Sequence, residues 1–226
     1  MPTLRCVIAH RRGPLIVAAF GPEVAPLAIH GSRLPRAVVG VGLVESAIGA
    51  AQALTAHHPE AVVLVGTAGA FASSQLALGE VVVSSRVVLA SAAVARDLGA
   101  MAPGMVGSLD ADAGLYASFA DAGLKRVTVA TTLAITTDDA LARDVATSCG
   151  AHVEHLETFA VARACAKAGI PFCAVLGIAN VVGSKGRRQW RAHHESASSA
   201  ACDVVSRVLE GEPTKVRSPT TRRSRA

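Results

Sequence analysis

The chain has 226 residues, 51% of them hydrophobic and 17% charged, with 20 glycines, 10 prolines and seven aromatic residues. That is the size of one ordinary domain with a substantial core, too aliphatic and too weakly charged to be disordered over its bulk. No run of 18 uncharged apolar residues occurs, so no membrane-spanning helix is expected, and the formal charge of +5 is concentrated at one end of the chain.

From Gly211 onward Lys215, Arg217, Arg222, Arg223 and Arg225 face a single acid, Glu212, which leaves the first 210 residues near neutral. Rich in Pro, Ser and Thr, this segment has nothing to bury. The expected organisation is one domain over residues 1–210 followed by a basic, disordered tail over 211–226. The body has no basic stripe interleaved with aromatics, so nucleic acid is not an expected partner. Five cysteines, Cys6, Cys149, Cys165, Cys173 and Cys202, form no C-x-x-C pair and lie among apolar residues. They read as small hydrophobes in a reducing, cytoplasmic setting, without a disulfide framework or zinc.

Taken in chain order, Leu15–Phe20 reads as a first strand, stopped by Gly21-Pro22-Glu23, where Glu23 marks a helix start. Arg11-Arg12 ahead of it imitate an export signal, but six apolar residues are too few for one. Ala37–Val41 is a second strand, and Val44, Ala47, Ile48, Ala51 and Leu54 keep helical spacing behind it. Between them, Gly40-Val41-Gly42 supplies two glycines of a dinucleotide fingerprint. Glu45 stands where the third belongs and would oppose a pyrophosphate, so NAD and FAD are not expected.

Ala61–Val65 is a strongly apolar strand leading into Gly66-Thr67-Ala68-Gly69. That stretch reads either as a plain strand-to-loop turn or as a turn whose exposed N–H groups and Thr67 hydroxyl face a ligand. Glu80–Ala90 and Arg126–Thr131 are further strands. His152-Val153-Glu154-His155-Leu156-Glu157 then runs into a helix carrying Val161, Ala164, Cys165 and Ala168. Glu157, at the start of that helix, either complements the helix dipole or grips sugar hydroxyls. His152 and His155 have no third convergent ligand, so no metal is expected. Phe172–Ile178 is the last strand, and Asn180 beyond it is either a turn residue or an amide offered to a ligand. Ala197, Ala201, Val204 and Val208 support a final helix to about Leu209. The alternation predicts a single α/β domain with a mixed, mainly parallel central sheet flanked by helices, and a ligand beyond the carboxyl ends of the strands.

In this order the motifs resemble the nucleoside phosphorylase and nucleosidase superfamily, from about Leu15 to Leu209. Gly66-Thr67-Ala68-Gly69 followed by Leu78-Gly79-Glu80-Val81-Val82 is similar to that family's central signature, in which a serine or threonine touches the ribose or the nucleophile. Leu156-Glu157 stands where the family has Met-Glu, whose glutamate binds ribose hydroxyls. Ala179-Asn180 stands where it has Ser-Asp or Ser-Asn, whose second residue recognises the purine. Glu23 matches the acid that helps activate water in hydrolytic members. Gly177-Ile178-x-Asn180-x-Val182-Gly183, with Arg187 and Trp190 behind it, most resembles the futalosine hydrolase branch, which releases hypoxanthine from futalosine on a menaquinone pathway. The chain departs from the family pattern at Leu176, where relatives carry an arginine near the nucleophile, at Ala179, and at Thr158-Phe159.

The resemblance implies a homo-oligomeric nucleosidase acting on a purine nucleoside without a cofactor. Glu23, Glu157 and Asn180 would be catalytic, with Gly66, Thr67, Ala68, Gly69, Leu156 and Ala179 lining the substrate. An amide at 180 implies a 6-oxopurine, because its NH2 can donate to both N7 and O6. Hydrolysis is the expected reaction. Phosphorolysis, with Arg86 or Arg33 supplying the phosphate cation, and a non-catalytic nucleoside-binding protein are the alternatives.

Overall fold

The computed structural model describes residues 13–29 and 31–211. Cys6, the Arg11-Arg12 pair and the basic tail from Glu212 onward lie outside the described residues. The chain runs β1 (Leu15–Ala18), α1 (Gly21–Ile29), β2 (Arg36–Val38), α2 (Leu43–His57), β3 (Val62–Ala70), β4 (Val81–Leu89) and α3 (Ala92–Ala95). It continues through β5 (Ser108–Asp110), α4 (Ala113–Asp121), β6 (Lys125–Thr131), α5 (Asp139–Cys149), β7 (Val153–Glu154), α6 (Thr158–Ala168), β8 (Phe172–Val181) and α7 (Gly186–Glu210).

The sheet is ordered β2-β1-β3-β7-β6-β4-β5, and β8 pairs with both β3 and β4. Strands β3, β8, β4, β6 and β7 therefore close on one another, a circuit that strand alternation alone does not reveal. The pairings β1–β2, β1–β3, β3–β8, β4–β6 and β6–β7 are parallel, and the other three are antiparallel, so the sheet is mixed and mainly parallel as expected.

Side chains alternate across β3, which explains why its run is apolar on both faces. Leu64 and Ala68 enter a core cluster with Leu54 of α2 and Val161 of α6, whereas Val63 and Val65 enter another with Leu27 of α1 and Val205 of α7. Each fully buried aliphatic side chain contributes roughly 1.5–3 kcal/mol. Two glycines allow the layers to approach closely. A Cβ on Gly49 would overlap the Val39 carbonyl, and one on Gly177 would overlap the Ala197 carbonyl of α7.

Two expectations are corrected. Gly66-Thr67-Ala68-Gly69 is not a turn, because β3 continues through it to Ala70. Asn180 is not a turn residue either, because β8 continues to Val181. The two stretches pair with each other, and that long-range ladder overrides the local turn preference of glycine and asparagine. Elements β5, β7, α3, α4 and α5 were not visible as periodic segments. The helices among them are set by local chemistry: Asp112 and Asp138 accept hydrogen bonds from Leu115 N–H (2.8 Å) and Leu141 N–H (2.7 Å). No helix among the described residues is long and apolar enough to cross a membrane.

Candidate active site

The carboxyl ends of β1, β3, β7 and β8 open into a cavity of about 520 Å³, within the range of small-molecule sites. Glu23, Thr67, Gly69, Leu156, Glu157 and Asn180 all line it. Gly66 lies directly beneath, where a Cβ would sit 3.1 and 3.2 Å from the Glu23 oxygens and 3.2 Å from His155 Nε2. Ala68 and Ala179 are not part of the lining. Ala68 sits in the core with Ile178, on the face of β3 opposite Thr67, and Ala179 is fully buried.

Glu23 is brought in by the first turn of α1 and is only 4% exposed. Its Oε1 accepts from the Thr67 N–H and the Thr67 hydroxyl, both at 2.9 Å. Trp190 Nε1–H, which can only donate, gives a hydrogen bond of 3.1 Å to Thr67 Oγ1. The indole thus fixes the threonine hydroxyl as a donor to Glu23. Trp190 is itself stacked on His194 at 4.2 Å. Burial pushes the Glu23 carboxyl up to about 7, with the nearby Glu157 adding to the rise and the Thr67 donors opposing it.

Glu157 is the residue before α6 and makes no capping bond to that helix through its side chain. Instead Oε1 accepts from Gly42 N–H at 2.7 Å, and Oε2 lies 3.1 Å from His155 Nδ1. The Gly40-Val41-Gly42 segment therefore serves the site through this N–H. Gly40 and Gly42 take the left-handed φ values (+97° and +84°) that turn the chain between β2 and α2 and present this N–H.

Asn180 lies over Gly69 and Gly186, and a Cβ on Gly69 would come within 2.7 Å of its Nδ2. One of its amide hydrogens is given to the Val181 carbonyl at 3.1 Å, leaving one N–H and the carbonyl oxygen for a ligand. Its direction is set by a bulge. Ala68 pairs with Ile178, but Gly69 pairs with Asn180, so Ala179 is an extra residue in β8. Without that shift Asn180 would share the core-facing side of Ile178; with it, the carboxamide joins Thr67 and Gly69.

Several lining residues escaped the sequence reading as site residues. Glu154, three residues before Glu157, accepts from Thr132 Oγ1 (3.1 Å), Thr136 N–H (3.2 Å) and Thr136 Oγ1, and burial raises its pKa above the usual carboxylate range. In the sequence His155 stands out only as half of a candidate metal pair. It points into the cavity, whereas His152 accepts from Thr128 N–H at 3.0 Å and takes no part in the lining, so the two do not converge. Arg187 and Arg191 of α7 line the outer wall, and none of the ion pairs found among the described residues engages either.

Two expected features lie elsewhere. Arg86 bonds Ser108 Oγ at 2.8 Å and pairs with Asp110 outside the cavity, and Arg33 is likewise not a lining residue. Leu176 is fully buried between Gly66 and Val82, so its apolar character is a matter of core packing. Thr158 does not crowd the cavity either: its hydroxyl lies 2.9 Å from His155 Nδ1, and Phe159 packs into the core.

A mixed α/β sheet that gathers carboxylates and a carboxamide at its strand ends defines a small-molecule-binding α/β domain. The chain belongs to the phosphorylase superfamily, whose family model matches residues 6–210. It is 28% identical over 188 residues to a 5'-methylthioadenosine/S-adenosylhomocysteine nucleosidase of Marinomonas sp. (strain MWYL1), an alignment covering 76% of this chain and 78% of the relative. Its fold matches a Helicobacter pylori 5'-methylthioadenosine/S-adenosylhomocysteine nucleosidase with a TM-score of 0.80 at 16% identity, covering 89% and 99% of the two chains. The futalosine hydrolase of Helicobacter pylori strain 26695 matches equally well in fold, with a TM-score of 0.80 at 15% identity over 88% and 97%.

Proposed function

We propose that the protein is a purine nucleosidase that hydrolyses the N-glycosidic bond of a 6-oxopurine nucleoside such as futalosine. The observation that carries this reading is the meeting of Glu23, Glu157 and Asn180, separated widely along the chain, around one cavity. As the C1′–N9 bond breaks, its electron pair moves onto the base and positive charge builds on the ribose. Glu157, held by Gly42, offers that charge a fixed carboxylate and its hydroxyls an acceptor. Ionised Glu23 takes a proton from water as the water oxygen bonds C1′, a task suited to a base with a pKa of about 7. The free Asn180 N–H stabilises the anionic purine at N7 or O6.

Hydrolysis is favoured over phosphorolysis because three carboxylates, Glu23, Glu154 and Glu157, outnumber the two guanidiniums, Arg187 and Arg191, around the cavity. A second reading, cleavage of methylthioadenosine or adenosylhomocysteine, is favoured by the names of the curated relatives and by the free Asn180 carbonyl oxygen, which can accept from a 6-amino group. The deciding assay measures base released from futalosine, inosine and methylthioadenosine with and without phosphate. Phosphate-independent release of hypoxanthine is the expected result, and release of adenine alone would select the second reading. Asn180→Asp is expected to move selectivity toward adenine by about tenfold or more, since a protonated carboxyl can donate to N7 while its other oxygen accepts from N6; unchanged selectivity would remove Asn180 from base recognition.

The same reading takes the protein to be a cytoplasmic homo-oligomer. Val41 and Ile135 stand more than half exposed at the mouth of the cavity, continuous with exposed Val44 and Ile48 on α2. Sedimentation velocity should give at least a dimer, and a Val44→Glu/Ile48→Glu double variant should be a monomer.

A further inference from the structure

His155 is buried between the two carboxylates that the proposed reaction uses. Its Nδ1 lies 3.1 Å from Glu157 Oε2, 2.9 Å from Thr158 Oγ1 and 3.3 Å from the Glu157 backbone nitrogen. Its Nε2 flanks the same point above Gly66 as both oxygens of Glu23, at 3.2 Å against 3.1 and 3.2 Å. Glu23 Oε1 already accepts two hydrogen bonds from Thr67, whereas Oε2 is buried with no partner among the described residues. A buried carboxylate oxygen without a partner calls for an explanation.

The tautomer follows from the acceptor on one side of the ring. Two groups compete for Nδ1: the Glu157 backbone N–H points at it across 3.3 Å, and Glu157 Oε2, which when ionised can only accept, lies closer at 3.1 Å. The shorter, charge-assisted contact prevails and puts the hydrogen on Nδ1. In a neutral imidazole the other nitrogen, Nε2, is then a bare acceptor, and it is the one that faces Glu23. Burial holds the ring below the usual histidine range, which keeps it neutral, and Glu157 opposes that effect.

We propose that His155 is a positioning residue that couples the two carboxylates: Nδ1–H orients Glu157, and the bare Nε2 accepts a hydrogen bond from the water that Glu23 activates. A single water can span such a gap. The ring gains and loses no proton; it gives the attacking water a second anchor beside Glu23 Oε2. The charged groups sharing the cavity with the ring are Glu23 of α1, Glu154 of β7, Glu157 and, from α7, Arg187 and Arg191. This inference rests on the nucleosidase reading for its catalytic consequence, but its geometry can be tested without activity.

The first test is a ring-nitrogen NMR titration of the full chain labelled with 15N-histidine, with His155 assigned by its disappearance in His155→Asn. The expected result is a neutral ring protonated at Nδ1, whose Nε2 resonance inflects near pH 7 as Glu23 titrates. That inflection should vanish in Glu23→Gln. A ring protonated at Nε2, a flat Nε2 resonance, or the same inflection in Glu23→Gln overturns the coupling. The second test is kinetic. Asparagine can place an amide N–H near the Nδ1 position but has nothing at Nε2, so His155→Asn should leave KM within about twofold, lower kcat at least about tenfold and change the pH profile. His155→Gln, which replaces the Nε2 acceptor but not the Nδ1 donor, should mainly raise KM. Wild-type kcat and an unchanged profile in His155→Asn would sink the proposal. Absence of base release by the wild type would sink the nucleosidase reading, and the NMR result would still decide the coupling.

Discussion

Glu23→Gln is expected to lower the rate of base release by about 10²–10⁴-fold and, at pH 8, to make the protein more stable than the wild type. Both effects come from one property. The Glu23 carboxyl is buried and its pKa is raised by desolvation from 4.5 to about 7. The ionised form, which the proposed mechanism needs as base, is therefore the form the fold holds at a disadvantage. Below pH 4.5 the carboxyl is protonated in the folded and the unfolded chain. Between 4.5 and about 7 the unfolded chain loses the proton while the folded one keeps it. The unfolded state then binds fewer protons, so stability falls as pH rises across this window. The full loss, roughly 3 kcal/mol, is reached above pH 7. Glutamine keeps an oxygen for the two Thr67 donors and carries no charge. Urea unfolding of both proteins at pH 4.5 and pH 8 should show a gap that opens only at the higher pH. A variant equally destabilised at both would refute the assignment of this strain to Glu23. Wild-type kcat should rise with pH through about 7 if the ionised carboxylate is the base, as proposed.

Gly177→Ala should have the largest effect on stability of any single methyl added to the sheet. The glycine lies on β8 where α7 crosses it, and the added Cβ would meet the backbone carbonyl of Ala197, which cannot swing aside as a side chain can. Helix and strand must separate, and overpacking of this kind costs about 3 kcal/mol. The change should appear as a lowered urea midpoint with an unchanged slope. Trp190 rides on the same helix and reaches Thr67 across 3.1 Å, so base release should fall as well. An unchanged midpoint would show that α7 does not depend on this close approach.

That result bears on what the sequence could reveal. Gly177 was read as part of a ligand motif, yet its structural work is helix-on-sheet packing. Strands β1, β3, β4, β6 and β8 were legible because burial on one or both faces leaves an apolar run. Glu23 and Glu157 were legible because each stands where a helix starts. The short β5 and β7 were not, since two or three residues carry no period. The straight passage of β3 through Gly66–Gly69 was hidden because its partner, β8, lies more than a hundred residues away. Glycines there mark the approach of Glu23, His155 and Asn180, not a bend. In the sequence Gly42 belongs to an incomplete dinucleotide motif and carries no sign that its N–H holds Glu157. His155 could have been suspected from its place between Glu154 and Glu157, but only coordinates show which ring nitrogen faces which acid.

The surplus alanine in β8 makes the direction of Asn180 a question of parity. With Ala179 in place, the carboxamide two positions beyond Ile178 is rotated onto the ligand side of the ladder. Delete that one methyl-bearing residue and plain alternation would still seat Asn180 opposite Gly69, on the same side as Thr67. Keep it but iron the strand flat, and the carboxamide would turn inward among aliphatic groups. The outward aim of Asn180 therefore belongs to the irregular ladder, and a change that regularised β8 at Ala179 would withdraw it from the cavity with every polar group still present in the written sequence.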